Sequence, residues 1–180
     1  VSDHQFCLMS FNILYGGTYL GQSLEQTVAV IRLAQADIVV VCEQWGNAEP
    51  LADLLGFTCH SVVAPPYWQS VAVLSRYPIL EKFANGVRLE LDSQQSARVF
   101  GVHLTSFPYQ PYRVRDKAYS RKEEILDEAR ETREQELVVE LSEVQPLIVA
   151  GERVLLCGDF NEPSHLDWSL AVSYTPRTLP

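Results

Sequence analysis

The stretch "RVLLCGDFNEPSHLDW", residues 153–168, decides the fold. Val154–Cys157 is an unbroken apolar run that halts at Gly158. An acid, an aromatic and an amide follow at Asp159, Phe160 and Asn161. A turn at Glu162-Pro163 leads on to Ser164, His165, Asp167 and Trp168. A short apolar run closed by a glycine reads as a strand buried in a sheet. The polar groups then crowd the point where that strand leaves the core.

Other segments repeat the pattern. "QFCLMSFNIL" (5–14) is near-continuously apolar, as expected of a strand covered on both faces, and "YGGTYLGQ" (15–22) is a loop. "SLEQTVAVIRLAQ" (23–35) reads as a helix, capped by Ser23 with Gln26 three residues on, and with Leu24, Val28 and Ile31 on one face. "ADIVVVCEQ" (36–44) is a second buried strand, and "AEPLADLLGF" (48–57) a short helix stopped by Gly56. Residues 70–104 read as successive strands with turns near Tyr77-Pro78, Asn85-Gly86 and Asp92-Ser93. The charged run 115–144 reads as helix, most of it a solvated face. Leu126, Ala129, Glu136 and Leu137 give part of an apolar stripe; Leu137, Val138 and Leu141 give the clean part. Nothing resembling a repeat or linker divides residues 1–180, so one domain is expected. Strands outnumber helices and several look buried on both faces, which two sheets with helices outside would satisfy.

A chain of 180 residues is long enough for one sizeable core, and 47% hydrophobic with 21% charged residues is an ordinary globular balance. The net charge of −9 argues against a protein that coats a nucleic-acid duplex, which favours a basic face. It leaves room for an enzyme with a local cationic site or a bound metal. No apolar run approaches the roughly 20 residues of a membrane span. The N-terminus shows no signal-peptide pattern, and Val1 in place of an initiator Met leaves room for a removed segment. Cys7, Cys42, Cys59 and Cys157 form no C-x-x-C pair, which disfavours structural zinc. They read as small buried hydrophobes, and free thiols point to a reducing, cytoplasmic compartment. His4 and His60 have no supporting neighbours and read as surface or core histidines.

Four strand ends carry polar residues without an obvious packing role: Asn12, Glu43, His103, and the pair Asp159 and Asn161. An acid just beyond Val39–Val41 is costly if buried alone and reasonable if it reaches a cation. Magnesium takes carboxylate oxygens and keeps several waters, so Glu43 and Asp159 would suffice as its protein ligands. Asn12 and Asn161 would orient the site. Taken singly, each of these residues reads first as an ordinary strand-end or turn residue.

Taken together, "LMSFNIL" (8–14), "VVVCEQ" (39–44), "SVAVLSRYPI" (70–79), "VHL" (102–104) and "LLCGDFN" (155–161) resemble the endonuclease/exonuclease/phosphatase superfamily, in that family's order. The last segment is the most specific. The resemblance implies an α/β (α+β) fold: a four-layer α/β/β/α sandwich of two mainly antiparallel sheets flanked by helices. It implies a phosphoesterase dependent on Mg²⁺ or Mn²⁺. Glu43 matches the acid that holds the metal, with Asn12 beside it. His103 matches the histidine on the scissile phosphate, Asp159 the acid that activates the attacking water, and Asn161 the amide on a phosphate oxygen. "HLTSFPYQPYRVRD" (103–116) resembles a largely bacterial branch in which Tyr109 and Tyr112 line the pocket and Asp116 closes it; a rigid loop with two packed tyrosines reads equally well. His165 would touch substrate or position its loop, with helix capping by Ser164 as the alternative.

The family pattern continues to a Ser-Asp-His segment, whereas residues 173–180 read "SYTPRTLP". The resemblance therefore implies a sandwich incomplete at its C-terminus, without the general-base histidine. A fragment, or a phosphate-binding or interaction module on the same scaffold, is the alternative to a working hydrolase. The substrate class stays open between nucleic acid, a phospholipid headgroup and a small phosphate ester, and no obligate protein partner is expected. Arg113, Arg115 and Lys117 would meet a substrate phosphate or pair with Glu123, Glu124 and their neighbours.

Overall fold

A computed structural model describes residues 5–62 and 70–163. Two four-stranded sheets lie face to face. The first is built from β1 (Leu8–Asn12), β2 (Ile38–Cys42), β3 (Thr58–Val62) and β4 (Val71–Ser75), in the order β1-β2-β4-β3. The second is built from β5 (Ile79–Lys82), β6 (Gly86–Glu90), β7 (Ser96–His103) and β8 (Val154–Asp159), in chain order. Each sheet has one parallel pair, β1 with β2 and β7 with β8; the other neighbours run antiparallel. The expected mainly antiparallel sandwich is the fold observed.

The pattern along β2 explains its continuous burial. Side chains alternate between faces of a strand. Val39 and Val41 pack outward with Ala72 and Leu74 against α1 (Leu24–Leu33) and α2 (Ala48–Leu55), through Val28, Ile31, Ala48, Leu51 and Ala52. Ile38, Val40 and Cys42 pack inward with Val71 and Val73 against Val87, Leu89, Ala97 and Val99 of the second sheet. Both faces are covered, so both must be apolar. The sheets approach closely at Gly101, where a Cβ would lie 2.2 Å from Val71 Cγ1 and 2.9 Å from Val40 Cγ1.

The fourth layer is helical: α3 (Gln110–Arg115), α4 (Lys122–Ala129), a π-turn at Arg130–Glu134, and α5 (Gln135–Val149). Asn85 Nδ2 donates to Glu140 at 2.7 Å and the Ala84 N–H to Glu143 at 3.2 Å, which fastens α5 to the β5–β6 turn.

Three local expectations change, and one strand, β3, has no counterpart among the expected elements. β1 is only partly buried, with Ser10 exposed, because it lies at the rim of its sheet. Ser23 occupies the N-cap of α1 without a side-chain cap bond; its hydroxyl is drawn to the Glu25 carboxylate instead. The stripe on α5 is Leu137, Leu141 and Val144, and Val138 is 52% exposed. The π-turn before α5 widens one helical turn and rotates the following face. β3, with the sequence TCHSV, lacks an apolar pattern because it sits at the other rim, where little of it needs covering. The expected turns at Tyr77-Pro78 and Asp92-Ser93 fall between strands, Asn85 precedes β6 with Gly86 as its first residue, and Gly56 ends α2 with a φ of 73°. The expected incompleteness of the sandwich beyond β8 lies outside the described residues.

Candidate functional site

Parallel pairing brings strand ends together. β1 and β2 finish side by side at Asn12 and Cys42, and β7 and β8 finish side by side at His103 and Asp159. The two pairs pack across the sandwich on one another. Strand alternation then sets the directions. Leu8 is an inward residue of β1, so Asn12 is too; Ala97 and Val99 face inward on β7, so His103 does; Leu155 and Cys157 face inward on β8, so Asp159 does. Three polar groups thus meet at one end of the space between the sheets.

Glu43 arrives differently. Alternation would send it outward with Val41. Its backbone instead turns left-handed, at a φ of 55°, while its N–H stays bonded to Ser70 O at 2.9 Å. The carboxylate swings back to Asn12. Asn12 Nδ2 lies 3.0 Å from Glu43 Oε1 and 3.0 Å from Asp159 Oδ2, so the two acids flank a single amide nitrogen. The Leu14 N–H donates to Asn12 Oδ1 at 3.0 Å, which fixes which way that amide points. The Tyr15 N–H donates to Glu43 Oε2 at 3.1 Å. The Asn161 N–H donates to Asp159 Oδ1 at 3.0 Å, and Asn161 Nδ2 donates to Leu104 O at 2.9 Å. Asn161 is also left-handed, at a φ of 49°.

His103 is 8% exposed, and its buried Nδ1 has no hydrogen-bond partner. His103 lies opposite Asp159 in the β7–β8 register, and its imidazole nitrogen has a hydrogen-bonding capacity that no described residue satisfies. No Lys or Arg pairs with Glu43 or Asp159 among the described residues. Two carboxylates around one neutral amide without a cation are electrostatically unbalanced, and oxygen donors of this kind suit a hard divalent ion. No group of three His, Cys, Asp or Glu side chains gathers around a common point among the described residues, so water would complete the shell of such an ion. The neighbouring thiol is inert: burial pushes Cys42 up to about 12.

On the Asp159 side lies an open hollow of about 570 Å³, lined among others by Phe107, Tyr109, Tyr112, Phe160 and Asn161. Tyr109 and Tyr112 stack edge to face with centroids 5.0 Å apart. Both therefore line the hollow. Asp116 does not close it: the carboxylate is solvent-exposed and bound to Arg115 Nε at 2.8 Å. The cations nearby are committed too. Arg113 pairs with Glu128 at 3.0 Å, and Arg115, besides Asp116, lies over the Tyr112 ring. Their partners are Glu128 and Asp116 rather than Glu123 and Glu124. His60 is a structural histidine, its Nε2 2.8 Å from Phe83 O. His4, and His165 with Ser164, Asp167 and Trp168, lie outside the described residues.

The charge run hides one residue that sequence reading misses. Arg133, 3% exposed, sits in the π-turn and donates to Thr105 O at 2.7 Å, Pro108 O at 2.6 Å, Ser106 O at 3.3 Å, Gln110 Oε1 at 3.0 Å and Glu162 Oε2 at 2.9 Å. It ties the loop after His103 to the turn after Asn161. No local signal separates it from Arg130, which is 64% exposed in its side chain and pairs with Asp127.

Comparison with known proteins bears on the fold and the family. At the level of sequence, an uncharacterized protein of Caenorhabditis elegans, F14F9.5, is 25% identical over 173 residues, which cover 90% of this chain and 55% of that protein. The chain thus spans about half the length of the curated relative it matches. Among solved structures, TDP2 from C. elegans superposes with a TM-score of 0.53 at 14% identity, covering 88% of this chain and 48% of that one. The human Nocturnin catalytic domain superposes with a TM-score of 0.56 at 17% identity, covering 87% and 64%. At these identities the likeness is one of fold. The description of the Endonuclease/Exonuclease/phosphatase family matches residues 9–176, from the first strand through the Asp159 turn and beyond, and the chain belongs to that family.

Proposed function

We propose that this chain is the catalytic part of a divalent-metal-dependent phosphoesterase, with Glu43 and Asp159 as metal ligands and Asn12, His103, Asp159 and Asn161 as the groups around the reacting phosphate. The observation that carries it is the single Asn12 nitrogen lying 3.0 Å from both carboxylates at the ends of two paired strands. Family membership supports the reaction class.

Hydrolysis of a phosphate ester needs charge neutralised on the non-bridging oxygens, a water in line, and a stabilised leaving oxygen. Bound Mg²⁺ or Mn²⁺ would supply the first. Asp159 orients the attacking water and takes its proton. His103, whose Nδ1 is bonded to no described residue, takes the role of hydrogen-bonding a phosphate oxygen or protonating the leaving group. Asn161 spends one Nδ2 hydrogen on Leu104 O and keeps the other for a phosphate oxygen. Asn12 holds the two acids at a fixed separation. Tyr109 and Tyr112 wall the hollow on which the ester lies.

The test is turnover of bis(p-nitrophenyl) phosphate with Mg²⁺, with Mn²⁺ and with excess chelator. Activity that chelator abolishes and that falls by about 10²-fold or more in Glu43→Gln is the expected result. Activity indifferent to both overturns the assignment. Phosphate binding without turnover identifies a binding module on the same scaffold.

A further inference from the structure

The Glu43 end of the site carries a feature that phosphate chemistry alone does not use. Tyr15, Tyr19 and Trp45 form a chain of rings. The Tyr15 and Tyr19 centroids are 5.0 Å apart; those of Tyr15 and Trp45 are 5.2 Å apart at 74°. The three residues are 48%, 46% and 43% exposed. Rings of this size normally bury most of their area. Here nearly half of each stays in water, beside the candidate metal ligand.

The rings are rigidly mounted. The Gly16 N–H donates to Glu43 O at 2.8 Å, Asn47 Nδ2 donates to Gly16 O at 2.8 Å, and the Trp45 N–H donates to Ser70 Oγ at 3.2 Å. Leu14, Tyr15 and Trp45 all hold a left-handed backbone, at φ of 51°, 48° and 48°. Side chains with a Cβ resist that conformation, which persists where the surroundings impose it, often at ligand clamps. The Tyr15 N–H is itself bonded to Glu43 Oε2, so the ring begins one residue from the carboxylate. Residues 13–22, "ILYGGTYLGQ", and 44–47, "QWGN", carry no charge. An edge-to-face pair covers one ring face and leaves others open for stacking.

We infer that Tyr15 and Trp45 form a stacking subsite for a planar aromatic group carried on the phosphate ester, and that a nucleobase is the class that fits. The inference rests on reading Glu43 and Asp159 as a phosphate-ester site. Base–aromatic stacking tolerates any base, because each has a π-face. A long single strand would need a basic groove as well, and these two segments hold no Lys or Arg. The subsite therefore takes one nucleotide end rather than a run of strand.

The test compares adenosine 5′-monophosphate with ribose 5-phosphate by calorimetric titration in Mg²⁺. The nucleotide should bind at least about fivefold more tightly, the low end of one stacked base. That advantage should collapse in Trp45→Ala and in Tyr15→Ala and survive in Trp45→Phe. Equal affinity for the two ligands, or an advantage untouched by both alanine variants, overturns the stacking subsite and leaves the phosphate reading standing. Failure of both ligands to bind overturns the phosphate reading and the subsite with it. Leu20, 84% exposed on the same rim, makes a lipid surface the competing occupant. Cosedimentation with phosphatidylcholine vesicles that Trp45→Ala abolishes, without nucleotide preference, decides for the lipid and against the base.

Discussion

Asn12 is the residue on which the candidate site depends. Its side chain cannot be another acid, since it stands between two carboxylates, and it must donate, since each carboxylate accepts from it. An amide is the side chain that does both at this length. The Leu14 N–H on its oxygen prevents the amide from turning over. Asn12→Ala leaves Glu43 and Asp159 without the group that spaces them. Partners that orient metal ligands are commonly worth 10–100-fold in affinity. Titration of the variant with Mn²⁺ should show a loss of about that size, and an undiminished affinity would remove Asn12 from the site.

At the scale of elements, the helical layer and the strand-end loops are joined by Arg133 and Glu140. Arg133 satisfies three carbonyls, a buried amide and a carboxylate at once. Burial raises the Glu162 carboxyl above its ordinary range, and the Arg133 charge opposes that rise. Arg133→Ala strips those carbonyls and leaves Glu162 partly buried and unpaired. Breaking such a pair costs about 3–5 kcal/mol. Urea denaturation should register the loss. Arg133→Lys should recover only part of it, because an ammonium lacks the planar fork.

Glu140 carries a pH dependence of the opposite sense to an ordinary ion-paired acid. Burial lifts its carboxyl above the usual 4.5, and the Asn85 hydrogen bond only partly offsets this. The folded state then holds the proton more tightly than the unfolded one. The stability this contributes is complete below about pH 4.5 and is lost as pH rises through the raised value. Glu140→Gln, which cannot ionise, should therefore gain stability over the parent at pH 7 and lose that gain near pH 4. Melting temperatures at the two pH values check it, and a gain equal at both would refute the burial effect.

At the scale of the whole molecule, the two sheets each carry half of the candidate site, Asn12 and Glu43 on one and His103 and Asp159 on the other. Their separation is set where Gly101 lets Val40 and Val71 approach. Gly101→Ala forces a methyl to within 2.2 Å of Val71 Cγ1 and must push the sheets apart. Overpacking of this kind costs about 1–3 kcal/mol. Each kilocalorie lowers the melting temperature by about 2–4 °C in a chain of this size. Because the site straddles the gap, Mn²⁺ affinity should fall with stability, though no ligand has been touched. A stability loss with affinity intact would show that the site does not depend on sheet separation.

The sequence by itself determined the strands with two apolar faces, the polar residue at the mouth of each, and the stop of α2 at Gly56. All of these are local: a run such as Val39–Val41 reports its own burial because alternation leaves no face for a polar group. β3 escaped that reading because a rim strand need not be apolar. Arg133 escaped it because burial there depends on a π-turn and on carbonyls contributed from residues 105–108. Only the tertiary structure decided that Glu43 turns back at a left-handed residue, and that Asn12 meets an acid 31 residues away and another 147 away. Periodicity constrains which way a side chain leaves its strand. Which strands stand beside one another is settled by the packing of two sheets, and that is a property of the whole chain.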